Sequence, residues 1–323
     1  MSSPRIGAVI LAAGQGTRLK SQHPKVLHEV CGRPMLAYVL DACRAAGITE
    51  CIVVVGHRKE EVVAAFADDG HIRWVEQNPQ RGTGHAVMVC RQEIAGRFDH
   101  LVVLCGDAPL VRTETIRAML DVHLAEGAAA TLATAIFDDP AGYGRIWRDA
   151  DGKLLGIVEH RDCTPAQLEI REINPGYYAF KLPEFLGALD QLTPNNAKNE
   201  YYITDTIAHL LAAGHKAMAV TSVAPEDVFG INSRQHLALV NRVMRDRILD
   251  RLMSDGVTIV DPASTWIDGR ATVGADTVIH PHVCVEGPAC IGPGCVVGPF
   301  AVVRGPVTLA ERSVVPPFSG GRA

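Results

Sequence analysis

From residue 257 onward the chain repeats every six residues. Apolar side chains stand at Ile267, Val273, Ile279, Val285, Ile291, Val297, Val303, Leu309 and Val315. Two places before each stands a small or β-branched residue: Thr265, Ala271, Thr277, Val283, Ala289, Cys295, Ala301, Val307 and Ser313. Nine hexads in one register leave few folds open. An α-helix returns to one face about every 3.6 residues and a strand about every second, and neither period explains a small/apolar pair returning at six. A fixed period of this kind marks stacked short units, each covered by the next.

The hexads resemble those of the left-handed parallel β-helix, in which three hexads make one triangular coil. The resemblance implies a short β-helix of about three coils over residues 257–323. Three coils leave unpaired strand edges, and flanks as apolar as Val283, Cys284, Val296 and Val302 are better covered by neighbours. The expectation is an assembly role as a homotrimer, with Pro316-Pro317-Phe318-Ser319-Gly320-Gly321 as a terminating tail.

Ahead of the repeat the pattern is different. Ile6 to Leu11, Cys51 to Gly56, Ile72 to Glu76 and Leu101 to Leu104 are short apolar runs rich in β-branched residues, which read as buried strands. Residues 34–46 and 59–67 have helical spacing, and Gly47 makes a good stop. Buried strands alternating with helices predict an α/β domain with a mostly parallel sheet. Ligands of such sheets bind beyond the carboxyl ends of the strands, where Gly14, Gln77, Gly82 and Asp107 all fall. From about residue 128 a strand-rich block follows, read as an insertion completing one side of a cleft. Ser233 to Asp255 reads as one long helix. The expected organisation is a catalytic domain over 1–232, a linking helix over 233–256 and the repeat over 257–323.

Composition narrows the partners. With 47% hydrophobic residues the chain can bury a large core, and a net charge of −5 offers no basic footprint for nucleic acid or an anionic membrane. No apolar run approaches the roughly 20 residues of a membrane span, and Met1-Ser2-Ser3-Pro4 leads straight into the first strand. The nine cysteines are scattered, odd in number and without a C-x-x-C pair, which suits a reduced cytoplasmic setting.

The chemistry is concentrated in the first loop. After the Ile6–Leu11 run, Ala12, Ala13, Gly14 and Gly16 let the backbone turn tightly with its N–H groups open to a phosphate chain, and Arg18 and Lys25 add two cations. It is not a Walker A loop, because no Gly-Lys-[Ser/Thr] follows, nor a dinucleotide G-x-G-x-x-G, because Leu19 occupies the third glycine's place. The whole string L-A-A-G-x-G-T-R-L-x(5)-P-K-V-L is far more specific. It resembles the signature of sugar-1-phosphate nucleotidylyltransferases, and P-K-V-L is similar to the N-acetylglucosamine-1-phosphate uridyltransferase branch. The resemblance spans roughly residues 5 to 235 and implies a Rossmann-like nucleotidyltransferase domain.

The implied reaction is attack of a sugar-1-phosphate oxygen on the α-phosphate of UTP, with release of pyrophosphate. The substrates would be UTP and N-acetylglucosamine-1-phosphate, and the product a cell-wall precursor. Such a nucleophile is already anionic near neutral pH, so no general base is needed. The site needs charge neutralisation and in-line alignment from a metal, Arg and Lys. The resemblance assigns catalysis to Arg18 and Lys25, and Mg²⁺ to Asp107 and Asn232; a helix N-cap is the alternative reading of both metal ligands. It assigns uridine recognition to Leu11, Ala12, Ala13, Gly14, Gln77, Gly82 and Thr83. A Gln amide can pair with an edge that both donates and accepts. On the sugar side it carries Gly144, Glu159, Asn174 and Thr204, whose alternative is polar residues at strand ends. Pro175 stands where the family pattern has Thr after Glu-Ile-Asn, which loosens the case for N-acetyl specificity. Full-length enzymes of the family also transfer acetyl groups through a longer β-helix. With hexads stopping at Val315, the expectation here is uridylyl transfer without acetyl transfer. Two rivals remain: a nucleotidylyltransferase for glucose-1-phosphate or dTTP, and a non-catalytic nucleotide-sugar sensor.

Overall fold

The structure is a computed structural model that describes residues 3–321. It forms two units. One joins the segment up to Leu27 with Met35–Asn232, and the other joins His28–Pro34 with the segment from Ser233 on.

The first unit begins with β1 (Ile6–Leu11), whose Ala8, Val9 and Ile10 are fully buried. The short strands β2 (Glu29–Val30) and β3 (Arg33–Pro34) belong to the second unit. Helix α1 (Met35–Ala45) ends at Gly47, whose φ of 92° lets Ile48 N–H donate back to the Cys43 carbonyl at 3.0 Å. Then come β4 (Cys51–Val55), α2 (Lys59–Ala65), β5 (Ile72–Glu76), α3 (Thr83–Met88), α4 (Arg91–Ile94) and β6 (His100–Cys105). The sequence reading passes over α5 (Thr113–Ala125), although Ile116, Met119, Leu120 and His123 recur at helical spacing and are buried. β7 (Ala130–Ile136), β8 (Gly144–Arg148), β9 (Leu154–Val158), the short α6 (Pro165–Leu168) and β10 (Glu172–Lys181) make the insertion. α7 (Leu182–Leu189), α8 (Asp205–Ala212) and β11 (Ala217–Thr221) close the unit.

The strand order is β11-β7-β10-β6-β1-β4-β5. All pairings along it are parallel except those of β10 with β6 and β7. The chain leaves β1 for β4 and β5 on one side, then returns to place β6 on the other. A crevice therefore opens at the carboxyl ends of β1 and β6. One core joins Val9, Ile52 and Val103 of the sheet to Val87 of α3, Phe185 of α7 and Ile207 of α8.

At the opposite end of β6, His100 Nδ1 lies 3.0 Å from His123 Nε2, and His123 Nδ1 lies 3.0 Å from Thr131 Oγ1. Burial, reinforced by His100 and Lys181, pushes His123 down to about 4. The unfolded chain would take up that proton near the ordinary value of about 6.5, whereas the fold resists it. This contribution to stability is therefore complete above about pH 6.5 and is lost as the pH falls through about 4, a change on the order of 3 kcal/mol. Urea midpoints should fall over that window in the parent chain and fall less in His123→Gln. Identical pH slopes in the two would contradict the assignment.

In the second unit, α9 (Arg234–Ser254) leads into a stack with three parallel faces of four, four and three strands. The predicted inward positions are buried from Thr265 to Ala301, and Val307, Ser313 and Val315 are part-exposed. Thr277 shows how a polar residue fits inside: its hydroxyl donates to the Gly292 carbonyl at 2.9 Å and accepts from Cys295 N–H at 3.2 Å. The stack is slightly longer than three coils. Thr258–Ile259 adds a rung that pairs with Val278–Ile279, twenty residues on, whereas that rung pairs eighteen residues further. The additional residues form the turn Pro262–Ser264, which hides this rung from a strict six-residue period. The hairpin β2–β3 docks within the same unit, where Cys31 N–H donates to Asn241 Oδ1 (2.9 Å) and Gly269 N–H donates to the Cys31 carbonyl (2.9 Å). Gly32 is required there, since a Cβ would lie 1.8 Å from Asp268 Oδ2. Among the described residues no helix is long and apolar enough to cross a membrane.

Candidate active site

Leu11 and Cys105 are partners across β1 and β6, so the loops that follow these strands emerge side by side. Ala12 N–H donates to the Val54 carbonyl and Gly106 N–H to the Leu11 carbonyl, both at 2.9 Å. These bonds hold the phosphate-type loop against both neighbouring strands. Its two glycines do different work. Gly16 has φ 65°, and a Cβ there would sit 2.9 Å from Lys25 Cβ, so it lets the Lys25 stem pass. Gly14 has no left-handed φ, and a Cβ there would meet nothing within 4 Å. Neither turn geometry nor packing explains that glycine; it leaves open space above the loop.

Four polar residues from three distant stretches of the sequence, Arg18 and Lys25, Asp107, and Asn232, meet beside this loop. The Lys25 ammonium pairs with Asp107 Oδ2 and donates to Asn232 Oδ1 at 2.8 Å. Arg18 Nη2 donates to the same Asn232 oxygen, also at 2.8 Å. Ile231 N–H donates to the Asp107 carbonyl at 2.9 Å and so fastens the Asn232 loop to the end of β6. The capping alternatives do not hold. The next helix after Asp107 starts only at Thr113, and α9 is capped by Ser233, whose hydroxyl accepts from His236 N–H.

A cavity of about 510 Å³ opens on this cluster, a volume suited to a small-molecule ligand. Leu11, Ala12, Ala13, Gly14, Lys25, Gln77, Gly82, Thr83 and Asp107 all line it. Gln77 is buried, and its amide nitrogen donates to the Gly82 carbonyl (2.9 Å) and faces His85 Nδ1 (3.1 Å). The donor half of the amide is thus engaged, which narrows the two-sided pairing expected from sequence to its carbonyl oxygen. Gly82, at φ 102°, leaves no room for a Cβ against the Tyr201 carbonyl, 2.6 Å away. Thr83 Oγ1 accepts from Ile203 N–H at 3.1 Å. The Gly82–Thr83 loop is therefore tied to the segment that carries Thr204.

A second cavity, of about 550 Å³, shares Thr17 with the first and is lined by Arg18, Glu159 and Lys198. Thr204 donates to Glu159 Oε1 at 3.1 Å. Burial pushes the Glu159 carboxyl above its ordinary value, against that hydrogen bond and the charge of Lys198. Gly144 and Asn174 are partners across β8 and β10 and line neither cavity. Asn174 is internally engaged: its amide donates to the Tyr178 hydroxyl (2.6 Å), and its oxygen accepts from Gly176 N–H (3.1 Å). These bonds serve the irregularity in β10, where the register against β7 shifts between Ile173 and Tyr177.

Residues 8–169, half of the chain, match the family model of the MobA-like NTP transferase domain. The chain belongs to this family. Residues 270–305 match the bacterial transferase hexapeptide, six repeats. Proteins named bifunctional protein GlmU from Pelotomaculum thermopropionicum and Streptomyces avermitilis are 47% identical over 276 residues and 45% identical over 285. The alignments cover 85% and 87% of this chain but 60% and 59% of those proteins, so the chain spans about three-fifths of their length. A solved UDP-glucose pyrophosphorylase complexed with UDP-glucose has the same fold, with a TM-score of 0.63 and 17% identity over 76% of this chain and 100% of that one.

For an NTP transferase domain the donor set fits a magnesium ion. Asp107 and Asn232 direct one carboxylate and one amide oxygen at a common cationic centre, here the Lys25 ammonium. Mg²⁺ accepts so few protein ligands because phosphates and waters complete its shell. Among the described residues no group of three His, Cys, Asp or Glu could hold a metal. Sequence reasoning missed Gln80, whose amide donates to the Ala13 carbonyl at 2.5 Å and helps shape the loop. It also passed over His160, Lys198 and Tyr202 on the second cavity. Tyr202 stands two residues before Thr204, in the run Tyr201-Tyr202-Ile203-Thr204-Asp205, while the other two carry no signal in the order of residues alone.

Proposed function

We propose that the chain transfers a uridylyl group from UTP to N-acetylglucosamine-1-phosphate, giving UDP-N-acetylglucosamine and pyrophosphate for cell-wall precursor synthesis. The observation that carries this reading is the convergence of Arg18, Lys25, Asp107 and Asn232 at the end of β1 and β6, between a cavity for a nucleotide and one lined by Glu159. The match to the MobA-like NTP transferase domain supports nucleotidyl transfer, and the Gln77 carbonyl oxygen on the cavity supports the uridylyl assignment. A phosphate oxygen of the sugar-1-phosphate attacks the α-phosphorus, a new P–O bond forms, and the bond to the β-phosphate oxygen breaks with its electron pair on pyrophosphate. Arg18 and Lys25 neutralise the charge that gathers on the transferring and leaving groups. Asp107 and Asn232 would hold Mg²⁺, which when bound supplies further neutralisation of phosphate oxygens. The loop amides around Gly14 orient the phosphates, and the Gln77 carbonyl oxygen is suited to accept from the N3–H of uracil. Glu159 and Thr204 are the polar groups suited to the sugar.

Assembly through the β-helix as a homotrimer and a cytoplasmic setting complete the proposal. Val283 is buried inside the stack and is no flank, but the half-buried Cys284, Val296 and Val302 support the first, and light scattering that finds a monomer at micromolar concentration would remove it. Nine free cysteines suit the second.

Thymine offers the same N3–H as uracil, so a related sugar-1-phosphate nucleotidylyltransferase is the second reading. Pyrophosphate release should be compared for UTP and dTTP, each with N-acetylglucosamine-1-phosphate and with glucose-1-phosphate. The expected pair is UTP with the N-acetylated sugar. A faster rate with glucose-1-phosphate or dTTP would transfer the assignment to the rival.

A further inference from the structure

The second cavity contains a side chain whose hydrogen bonding is incomplete. His160 opens the turn His160–Asp162 directly after Glu159 and lines the cavity beside Arg18, Lys198 and Tyr202. The turn is well anchored: Asp162 N–H donates to the Glu159 carbonyl (2.9 Å), and Asp162 Oδ1 accepts from Ala197 N–H (3.2 Å). The imidazole Nδ1 is sealed from solvent and has no hydrogen-bond partner. A buried N–H without an acceptor is rarer than an acceptor left bare, so Nδ1 is best read as the bare nitrogen and the proton is placed on Nε2. Nε2 is not among the sealed, partnerless atoms, and no hydrogen bond within the described residues engages it. The ring therefore offers one fixed donor from an anchored turn.

We propose that His160 is a substrate-binding residue whose Nε2–H donates to an oxygen of the sugar of the sugar-1-phosphate. This rests on the uridylyl-transfer reading above. The division of labour follows from the lining of the cavity. Arg18 lines this cavity and is hydrogen-bonded to Asn232 of the Lys25–Asp107–Asn232 cluster, which suits it to the phosphate, and Glu159 and His160 line the same cavity and are assigned to the sugar. Glu159 supplies an acceptor and His160 the complementary donor, so together they can read both sides of a hydroxyl or amide substituent.

The test compares His160→Leu, His160→Gln and His160→Asn for KM toward N-acetylglucosamine-1-phosphate and toward UTP, with melting temperatures measured alongside. A Gln amide can reach the Nε2 position with a donor, whereas Asn reaches only the Nδ1 position. Leu and Asn should raise the sugar-phosphate KM about tenfold, the size of one hydrogen bond, and leave the UTP KM unchanged. Gln should restore it to within about twofold of the parent. An unchanged sugar-phosphate KM in Leu, equal loss in Gln and Leu, or a parallel rise in the UTP KM would each overturn the inference while leaving uridylyl transfer intact. A parent chain that releases no pyrophosphate from UTP with any sugar-1-phosphate would overturn the reading beneath it, and this inference with it.

Discussion

Asp107→Asn is expected to lower turnover by about a thousandfold, on the scale of losing one fixed electrostatic contact to a transition state. The change keeps the size and shape of the side chain and removes only its charge. Asp107 follows a strand that is buried along most of its length, and its carboxylate pairs with Lys25 beside the Asn232 oxygen. Among the described residues its carboxylate caps no helix, since none begins within the next few residues. The melting temperature should therefore move by only a few degrees, within the range expected of a partly buried pair losing one charge. Raising the Mg²⁺ concentration should restore part of the rate, because a weakened ligand set fills at higher metal. Parent-like turnover in the Asn variant would remove Asp107 from the metal site.

Lys25→Met should be as damaging, and in the same parameter. Methionine keeps the apolar stem that packs against Gly16 but removes the ammonium. That ammonium joins Asp107 and Asn232 and faces the cavity in which the phosphates would be held. Charge on the leaving pyrophosphate grows only as the bond breaks, so a cation placed for it acts on kcat more than on KM. The expected loss is about a thousandfold in kcat, roughly 4 kcal/mol of transition-state stabilisation, with KM for UTP within about threefold of the parent. Lys25→Arg should recover little, because a planar fork does not fit where one point charge serves two oxygens. A variant with raised KM and unchanged kcat would show that Lys25 merely binds ground-state UTP.

The residues at the end of β1 and β6 were legible because two constraints overlap there. A buried strand followed by small residues and two cations reads as a phosphate loop, and strands alternating with helices place Asp107 beside it. Asn232 lies 125 positions beyond Asp107 in sequence. Its place depends on the backbone bond between Ile231 and Asp107, which no local pattern announces. The β-helix was legible because its inward positions recur without interruption from Thr265 onward. The first rung escaped because Pro262–Ser264 lengthens one corner. The hairpin at Glu29–Pro34 escaped for another reason: it stabilises a unit whose other residues begin some two hundred positions later. Side-chain roles were the least legible. Gln77 and Asn174 read alike as amides awaiting a ligand, yet Gln77 lines the first cavity, while Asn174 meets Tyr178 and Gly176. Residue type states what a group can bond to, and only the packing states which partner it has already found.

The most direct measurement is product formation by the chain itself. Purified protein would be incubated with Mg²⁺, UTP and N-acetylglucosamine-1-phosphate, with pyrophosphate and nucleotide sugar both quantified. The account predicts one UDP-N-acetylglucosamine for each pyrophosphate, and neither product when the sugar phosphate is omitted or Mg²⁺ is chelated. Nucleotide binding without either product would contradict it and favour a protein that senses nucleotide sugars rather than making them.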